Sequence, residues 1–349
     1  AILGAVLQNR VTAAVTDGVQ AISQIPQALK DRIVAAASSG SMQMGIPEEA
    51  VLVGSTGVIG PQLPMDRIRA GIEALVKAKA RTPESGTDAA KAIMTTDTVH
   101  KECAVTLTIG GREVTIGCIS KGSGMIHPNM CTMLSFVVTD AVISKQTLTA
   151  LVKADVRDTY NMISVDGDTS TNDSFIVMAN GMAQNPEILP GTAEYEAFKA
   201  ALHFVNETQA KRLAGDGEGA TALVECVVKN ADTKENARVL ARSVISSSLT
   251  KAAIFGHDAN WGRILCALGY SGAPFDPEQM ELRIEGGGKS MAVYRDGLGV
   301  DFDEAEASGI LSLPEVRIVA DMKAGAETAT AWGCDLSYEY VKINGDYRS

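Results

Sequence analysis

The segment from 102 to 119 constrains the fold of this chain more than any other feature of the sequence. Apolar residues take every second position on both sides of a Gly110-Gly111 pair, namely Cys103, Val105, Leu107, Ile109, Val114, Ile116 and Cys118. A period of two around a two-residue glycine turn predicts a β-hairpin. Its second strand runs into Lys121, so the residues that follow are expected to be held by a rigid sheet.

Those residues, KGSGMIHPNMCTMLSFVVTDA at 121–141, centre on the Cys131-Thr132 bond. Glycines and Pro128 precede the bond, and the apolar run 133–138 after it predicts a buried strand. A threonine at such a junction can attack its own upstream carbonyl, and hydrolysis of the ester would leave a new amino terminus on Thr132. A free α-amine, with a pKa of about 7.7 to 8, can then take the proton of the same residue's hydroxyl. The alternative from spacing alone is an ordinary strand threonine.

Composition indicates a soluble, globular α/β protein of about two domains or one large unit. The 349 residues are 46% hydrophobic and 5% aromatic, with a net charge of −11 spread along the chain. This charge argues against nucleic-acid or anionic-membrane surfaces, and no run of about 18 apolar residues predicts a membrane span. The six cysteines form no CxxC pair and predict reduced core residues, which suits the cytoplasm. The start lacks a basic leader with a long apolar run, so no signal peptide is expected.

Periodicity and turn residues outline the other elements. Helices are predicted over 64–79, 84–94, 144–155, 192–213 and 236–248, and strands over 51–53, 220–228 and 332–340. The first helix is expected to pack through Ile68, Ile72, Leu75 and Val76. The fourth is expected to present a stripe of Phe198, Leu202, Val205 and Gln209.

Several polar motifs suggest chemistry, each with a simpler alternative. The turn Gly54-Ser55-Thr56-Gly57 can point amides at a developing oxyanion, or it is an ordinary glycine turn. Glu218, between glycines in GDGEGAT, is a candidate ligand or a solvated turn residue. The stretch SVDGDTSTNDS at 164–174 does not fit a calcium loop, because its glycine is misplaced and the closing Glu is missing. His257 and Asp258 have no third metal ligand nearby.

Together these motifs resemble the ornithine acetyltransferase family, the bifunctional arginine-biosynthesis enzymes also called glutamate N-acetyltransferases. The resemblance covers 51–349 and rests on STG, TTDT, the 121–141 segment, GEGAT, DANWGR and the C-terminal Asn and hydroxyl residue. Two departures stand out. The family usually has alanine where this chain has Cys131, and its Asn/Gly-rich segment before the STG loop has no counterpart here.

The resemblance implies an α/β fold of two sheets sandwiched between helices, and self-cleavage. Residues 1–131 would form an alpha chain and residues 132–349 a beta chain, assembled as a heterotetramer of two of each. Thr132 would be the nucleophile, with Thr56 and Gly57 as the oxyanion hole. The implied substrate contacts are Thr98, Thr132, Glu218, Asn344 and Ser349. Lys121, the cation next to the nucleophile loop, is expected from its charge to bind the carboxylate of a substrate.

The implied reaction is a ping-pong transfer of acetyl from N2-acetylornithine to glutamate through acetyl-Thr132. Acetyl-CoA is a second donor that some members of the family use. No metal or organic cofactor is needed, because an acyl-enzyme suffices. Three alternatives stay open: an N-terminal-threonine aminopeptidase or amidohydrolase that passes the acyl group to water, an uncleaved binding protein, and Cys131 as the nucleophile.

Overall fold

The structure, a computed structural model, describes residues 45, 47, 51–128, 133–171 and 174–347. Within these ranges it contains two sheets and nine helices. The helices are α1 (Met65–Ala78), α2 (Pro83–Ala92), α3 (Lys145–Asp155), α4 (Ala193–Gly215), α5 (Lys234–Ser246), α6 (Ser248–Phe255), α7 (Trp261–Gly269), α8 (Glu304–Leu311) and α9 (Tyr338–Asp346). The strands are β1 (Lys101–Ile109), β2 (Arg112–Lys121), β3 (Leu134–Thr139), β4 (Ile163–Ser164), β5 (Ser174–Ala179), β6 (Leu223–Ala231), β7 (Glu281–Gly286), β8 (Lys289–Arg295), β9 (Leu298–Gly299), β10 (Glu315–Asp321) and β11 (Glu327–Cys334).

The first sheet has the order β1-β2-β3-β5. The predicted hairpin is confirmed: β1 and β2 are antiparallel and turn at Gly110 and Gly111, whose φ angles of 55° and 76° are the left-handed values that glycine adopts readily. β3 pairs antiparallel with β2 and parallel with β5. In this register Lys121 pairs with Leu134, the first residue of β3.

The second sheet has the order β4-β11-β6-β10-β7-β8-β9 and mixes parallel and antiparallel pairs. Its two faces are covered by different helices, as two consecutive residues of β11 show. Trp332 lies under Lys211 of α4, with the ammonium 5.3 Å from the ring centroid, whereas a Cβ on Gly333 would lie 3.2 Å from Ile245 of α5. The sheet is therefore packed between helices.

Helix α4 lies between the two sheets, where it packs against β1 and β2 of the first and against β6 and β11 of the second. The predicted stripe of Phe198, Leu202, Val205 and Gln209 is buried, and so are residues on other faces of the helix, including Ala210 and Ala214. The predicted α/β class with two sheets between helices is confirmed. No helix within the described ranges combines the length and the apolar character that crossing a membrane requires.

Four local predictions are wrong. Residues 51–53 form no strand, since they have no ladder partner in the described chain. Helix α1 buries none of its residues within the described structure, and Leu75 is 53% exposed. Cys266 is exposed, although Cys118, Cys226 and Cys334 are buried as expected.

The fourth error is at the C-terminal end, where β11 stops at Cys334 although the alternating pattern continues to Tyr340. The next residue, Asp335, turns its carboxylate onto the amides of Thr221 and Ala222, at 2.8 and 3.1 Å. The Asp335 amide still donates to the Ala222 carbonyl at 3.3 Å, but the next amide, of Leu336, donates to the Lys251 carbonyl, and helix α9 begins at Tyr338.

Candidate functional site

The loop that follows β2, residues 121–124, lies at the centre of the candidate site. Lys121 donates from Nζ to the Thr95 hydroxyl at 3.0 Å, and the Gly122 amide donates to Asp97 Oδ1 at 2.7 Å. The segment 95–98, which includes the TTDT motif, is thereby joined to one side of the loop. Thr95 is the hydroxyl that this arrangement places beside the Lys121 ammonium.

A buried group of three charges supports that side of the loop. Lys101, which is fully buried, donates to Asp97 Oδ1 at 2.7 Å and to Asp216 Oδ2 at 2.5 Å. Burial opposes ionisation of Asp97, but hydrogen bonds from Lys101 and the Gly122 amide outweigh it and lower the pKa of that carboxyl. The lysine bridges the two carboxylates and fixes the segment 95–101 against the end of α4.

The hydrogen bonds of Thr98 go to Asp216 of this buried charged group. Its amide donates to Asp216 Oδ2 at 3.1 Å, and its hydroxyl donates to Asp216 Oδ1. Thr98 also lines a cleft of about 990 Å³ whose described lining includes Asp216 but neither Lys121 nor Glu218. Of the two threonines, Thr95 is therefore the one the fold brings to the loop.

The other side of the loop is formed by the GDGEGAT segment that follows α4. The Glu218 amide donates to the Ser123 carbonyl at 2.9 Å, and the Ser123 hydroxyl donates to the Asp216 carbonyl at 2.7 Å. Gly124 lies directly beneath the Glu218 carboxylate, so that a Cβ at this position would collide with it. Any side chain at 124 would therefore displace the Glu218 carboxylate from this position.

Helix α9 and the residue before it bind the GDGEGAT segment from the side of the chain's C-terminal end. Asn344 donates from Nδ2 to Glu218 Oε2 at 2.8 Å, and Ser337 donates its hydroxyl to the Gly219 carbonyl at 2.5 Å. Gly219 has a φ of 69°, and a Cβ there would lie 2.6 Å from the Tyr340 amide nitrogen. Burial and the negative charges of Asp166, Asp168 and Glu218 raise the pKa of the Tyr340 hydroxyl.

Asp166 holds the residues that directly follow the 121–124 loop. Its carboxylate accepts from the amides of Met125 at 2.6 Å and Ile126 at 2.9 Å. Thr169 donates its hydroxyl to the His127 carbonyl at 2.9 Å. Asp166 and Thr169 thus clamp the chain that leads to the Cys131-Thr132 bond.

His127 has both ring nitrogens engaged. Arg242 donates from Nη2 to Nε2 at 2.9 Å and to the Pro128 carbonyl at 3.3 Å, and Nδ1 lies 3.0 Å from the Ser164 hydroxyl. Burial and the Arg242 charge lower the pKa of the imidazole. The ring is therefore neutral, with its proton on Nδ1 and directed to Ser164. This arrangement holds the loop and leaves no free nitrogen to act as a base.

The predicted oxyanion residues lie in a loop that borders β3. Thr56 is half-buried and Gly57 is exposed. Two residues earlier in that loop, a Cβ on Gly54 would meet the ring of Phe136 in β3 at 3.0 Å and Ile176 in β5 at 3.6 Å. The turn thus runs beside the strand that follows Thr132 in sequence.

Three predicted site residues, Cys131, Thr132 and Ser349, lie outside the described residues, as does the proposed chain boundary. Of the other predictions, the structure brings Lys121, Glu218 and Asn344 together around the loop. Asp166 and Thr95 are the residues that sequence reasoning missed. Thr95 lies in the TTDT motif and Asp166 in the polar stretch 164–174, but no local pattern distinguishes either residue from its neighbours.

The polar stretch 257–263 has a structural role. Asn260 begins α7 and accepts from the Arg263 amide at 3.3 Å, while its Nδ2 donates to Asp258 Oδ2 at 3.1 Å. Arg263 donates to the Leu249 carbonyl at 2.9 Å. DANWGR thus caps one helix and joins it to the start of another.

Comparisons with known proteins show the family. The model of the ArgJ family matches residues 5–349. The chain belongs to the ArgJ family. It is 55% identical over 306 residues to the arginine biosynthesis bifunctional protein ArgJ of Symbiobacterium thermophilum, a match that covers 88% of this chain and 75% of the relative. The protein of the same name from Thermotoga neapolitana is 51% identical over 313 residues, which is 90% of this chain and 78% of the relative.

A solved structure supports the membership. The crystal structure of the arginine biosynthesis bifunctional protein ArgJ from Bacillus halodurans matches with a TM-score of 0.59 and 43% identity. The match covers 62% of this chain and 100% of that one. The ArgJ family is thus shown both by sequence and by fold.

Proposed function

We propose that this chain is a bifunctional enzyme of arginine biosynthesis, a glutamate N-acetyltransferase that moves acetyl from N2-acetylornithine to glutamate. One observation carries the proposal. Lys121 is the first residue of the 121–124 loop, and Glu218, of opposite charge, contacts the same loop at Ser123 and Gly124. Lys121 also pairs with Leu134, two residues after Thr132 in the chain.

The charges of the site match those of the substrates. N2-acetylornithine carries an α-carboxylate and a side-chain ammonium, and glutamate carries an α-carboxylate. Lys121 binds the carboxylate, with the Thr95 hydroxyl beside it, and Glu218 binds the ornithine ammonium. Asn344 holds the Glu218 carboxylate in place through its 2.8 Å hydrogen bond. Thr98 and Ser349 stay predicted substrate contacts.

The reaction begins with a free α-amine on Thr132, which self-cleavage after Cys131 supplies. The amine takes the hydroxyl proton while the oxygen attacks the acetyl carbonyl, and Thr56 and Gly57 bind the oxyanion. When the C–N bond breaks, the amine returns the proton to the leaving ornithine nitrogen. The glutamate amine then attacks the acetyl-Thr132 ester. The α-amine of Thr132 takes a proton from the attacking nitrogen and gives it to the Thr132 oxygen as the ester C–O bond breaks, which releases N-acetylglutamate and restores the hydroxyl.

Processing into residues 1–131 and 132–349, and assembly of two copies of each fragment in the cytoplasm, belong to the same proposal. The clamp formed by Asp166 and Thr169 supports it, because a bond that cuts itself requires a loop of fixed geometry. Denaturing electrophoresis tests the cleavage: two bands are expected in place of one at 36.6 kDa.

The deciding experiment traps the acyl-enzyme. The purified protein is incubated with N2-acetylornithine alone, and intact mass spectrometry is expected to show one acetyl group on the fragment that begins at Thr132. Adding glutamate should remove the label and yield N-acetylglutamate. Release of free acetate at the same rate with and without glutamate would identify an amidohydrolase and contradict the proposal.

A further inference from the structure

A second cleft, of about 740 Å³, opens a few residues after the 121–124 loop, beside His127. His127 and Thr169 form part of its wall, and helix α5 supplies most of the remainder. The volume lies within the range of about 300 to 1,000 Å³ that is typical of small-molecule sites. None of the residues that bind the loop at Lys121 or Glu218 lines it.

The lining is rich in guanidinium groups, and they differ in their partners. Arg238 binds both oxygens of Asp158, at 3.0 and 2.9 Å, and Arg157 binds Glu235 at 3.1 Å. Arg242, within the described chain, has no carboxylate at ion-pair distance, and its two hydrogen bonds go to a neutral ring and a carbonyl. Burial also lowers the pKa of this guanidinium.

Two polar atoms of this wall lack partners. Among the described residues, neither the buried Nε of Arg242 nor the buried hydroxyl of Ser246 has a hydrogen-bond partner. The two residues are four apart on α5 and so lie on the same face of the helix. Buried polar groups are ordinarily paired, and an unpaired one is costly. Glu235, which also lines the cleft, acts on Arg242 only through its charge. A guanidinium nitrogen and a hydroxyl on one helix face, both without an acceptor in the described chain, fit a missing oxyanion.

We propose that this cleft is a binding site for a small-molecule oxyanion, a carboxylate or a phosphate, held by Arg242 and Ser246. The guanidinium supplies the charge, and the hydroxyl of Ser246 donates to a second oxygen after a rotation about its χ1. Because Arg242 also holds His127 and Pro128, the ligand adjoins the loop that leads to Cys131. The site is independent of the proposed acyl transfer.

The test measures binding of inorganic phosphate and of acetate to the purified full chain, at constant ionic strength set with sodium chloride. Isothermal titration calorimetry should show one saturable site of roughly millimolar affinity, and thermal unfolding should shift upward with ligand. Tighter phosphate binding would indicate a phosphate ester as the natural ligand, and tighter acetate binding a carboxylate.

Paired serine variants locate the site. Ser246→Ala removes a hydroxyl that has no partner, so the fold should be unaffected while the anion binds about tenfold more weakly. Ser243→Ala is the matched control on the same helix, because that hydroxyl already donates to the Ala267 carbonyl at 2.5 Å. Its affinity for the anion should equal that of the wild type.

Arg242→Gln should abolish binding. Should that variant fail to fold, the serine pair still decides the matter. The proposal is overturned if neither anion binds saturably, or if Ser246→Ala binds both as tightly as Ser243→Ala does.

Discussion

The Nδ2 amide of Asn344 lies 2.8 Å from Oε2 of Glu218 and so ties the last helix of the described chain to the loop that carries the acidic group. Removing the charge at 218 should impair binding of a cationic donor. For Glu218→Gln we expect the KM for N2-acetylornithine to rise at least tenfold, because a charge-assisted contact contributes about 1.5 to 3 kcal/mol. The KM for glutamate should change little. Glu339→Gln, on the exposed face of α9, is the control, and equal KM changes for both substrates would refute the assigned role.

Thr132→Ala should give a single uncleaved band and no acetyl transfer, because the hydroxyl that starts both steps is gone. Cys131→Ala should still be processed and active. Cys266→Ala, at an exposed cysteine, controls for loss of a thiol. Electrophoresis and acetyl transfer are measured on all three. Activity in Thr132→Ala and none in Cys131→Ala would reverse the assignment.

Asp166→Ala should slow self-cleavage and destabilise the fold by roughly 2 kcal/mol, because the carboxylate accepts two amide hydrogen bonds from the loop at 2.6 and 2.9 Å. Asp168→Ala removes a nearby carboxylate whose side chain is exposed and serves as the control. Processing is followed by the time course of band splitting after synthesis. Equal rates in the two variants would show that the clamp is dispensable.

Lys101→Met should be among the most destabilising single changes. The substitution leaves Asp97 and Asp216 buried side by side without their shared cation, and breaking a buried pair in this way costs about 3 to 5 kcal/mol. Urea unfolding measures the difference in the free energy of unfolding. Lys199→Met, at an exposed lysine of α4, should change it by less than about 1 kcal/mol.

His203 should make the stability depend on pH. A hydrogen bond from its Nδ1 to Asp155, at 2.6 Å, raises the pKa of the imidazole, and the charges of Asp155, Glu207 and Asp158 act in the same direction against burial. A pKa raised on folding gives stability that is fully present below the unfolded value of about 6.5 and is lost as the pH rises through the folded value.

The measurement compares the free energy of unfolding of the wild type with that of His203→Gln from mildly acidic to alkaline pH. The stability advantage of the wild type should be largest in mildly acidic solution and should shrink at alkaline pH. The comparison isolates His203 because His127, whose pKa is lowered, contributes equally to both proteins. An advantage that grows with pH would contradict the assignment.

The local parts of the fold could be predicted from sequence, and the tertiary parts could not. The 102–119 hairpin and the buried stripe of α4 follow from apolar spacing, which is a property of neighbouring residues. The group of Asp97, Lys101 and Asp216 joins residues 115 positions apart, and no local pattern indicates such a contact. The error at the C-terminal end has a similar cause, because the contacts made by the chain after β11 are to residues far away in sequence, such as the bond from the Thr221 amide to Asp335.

For the candidate site, the residue types could be predicted from the sequence, but which residues face the loop could not. The residue types of Lys121 and Glu218 suit charged substrates, and the fold brings both to one loop. The assignment of Thr98 rests on the resemblance, and the sequence itself does not show which threonine of TTDT faces that loop. Thr95 and Thr98 have the same chemistry, and only the hydrogen bonds to Lys121 and Asp216 distinguish them.

The pairing of β2 with β3 determines what a cut at the Cys131-Thr132 bond can do to the molecule. β2 ends before that bond and β3 begins after it, and six consecutive residues of each are joined, from Ile116 with Thr139 to Lys121 with Leu134. Both strands also contribute fully buried side chains, Ile116 and Val137, to one core. The two polypeptides would therefore unfold as one cooperative unit, and neither could be exchanged for a fresh copy without denaturing the other.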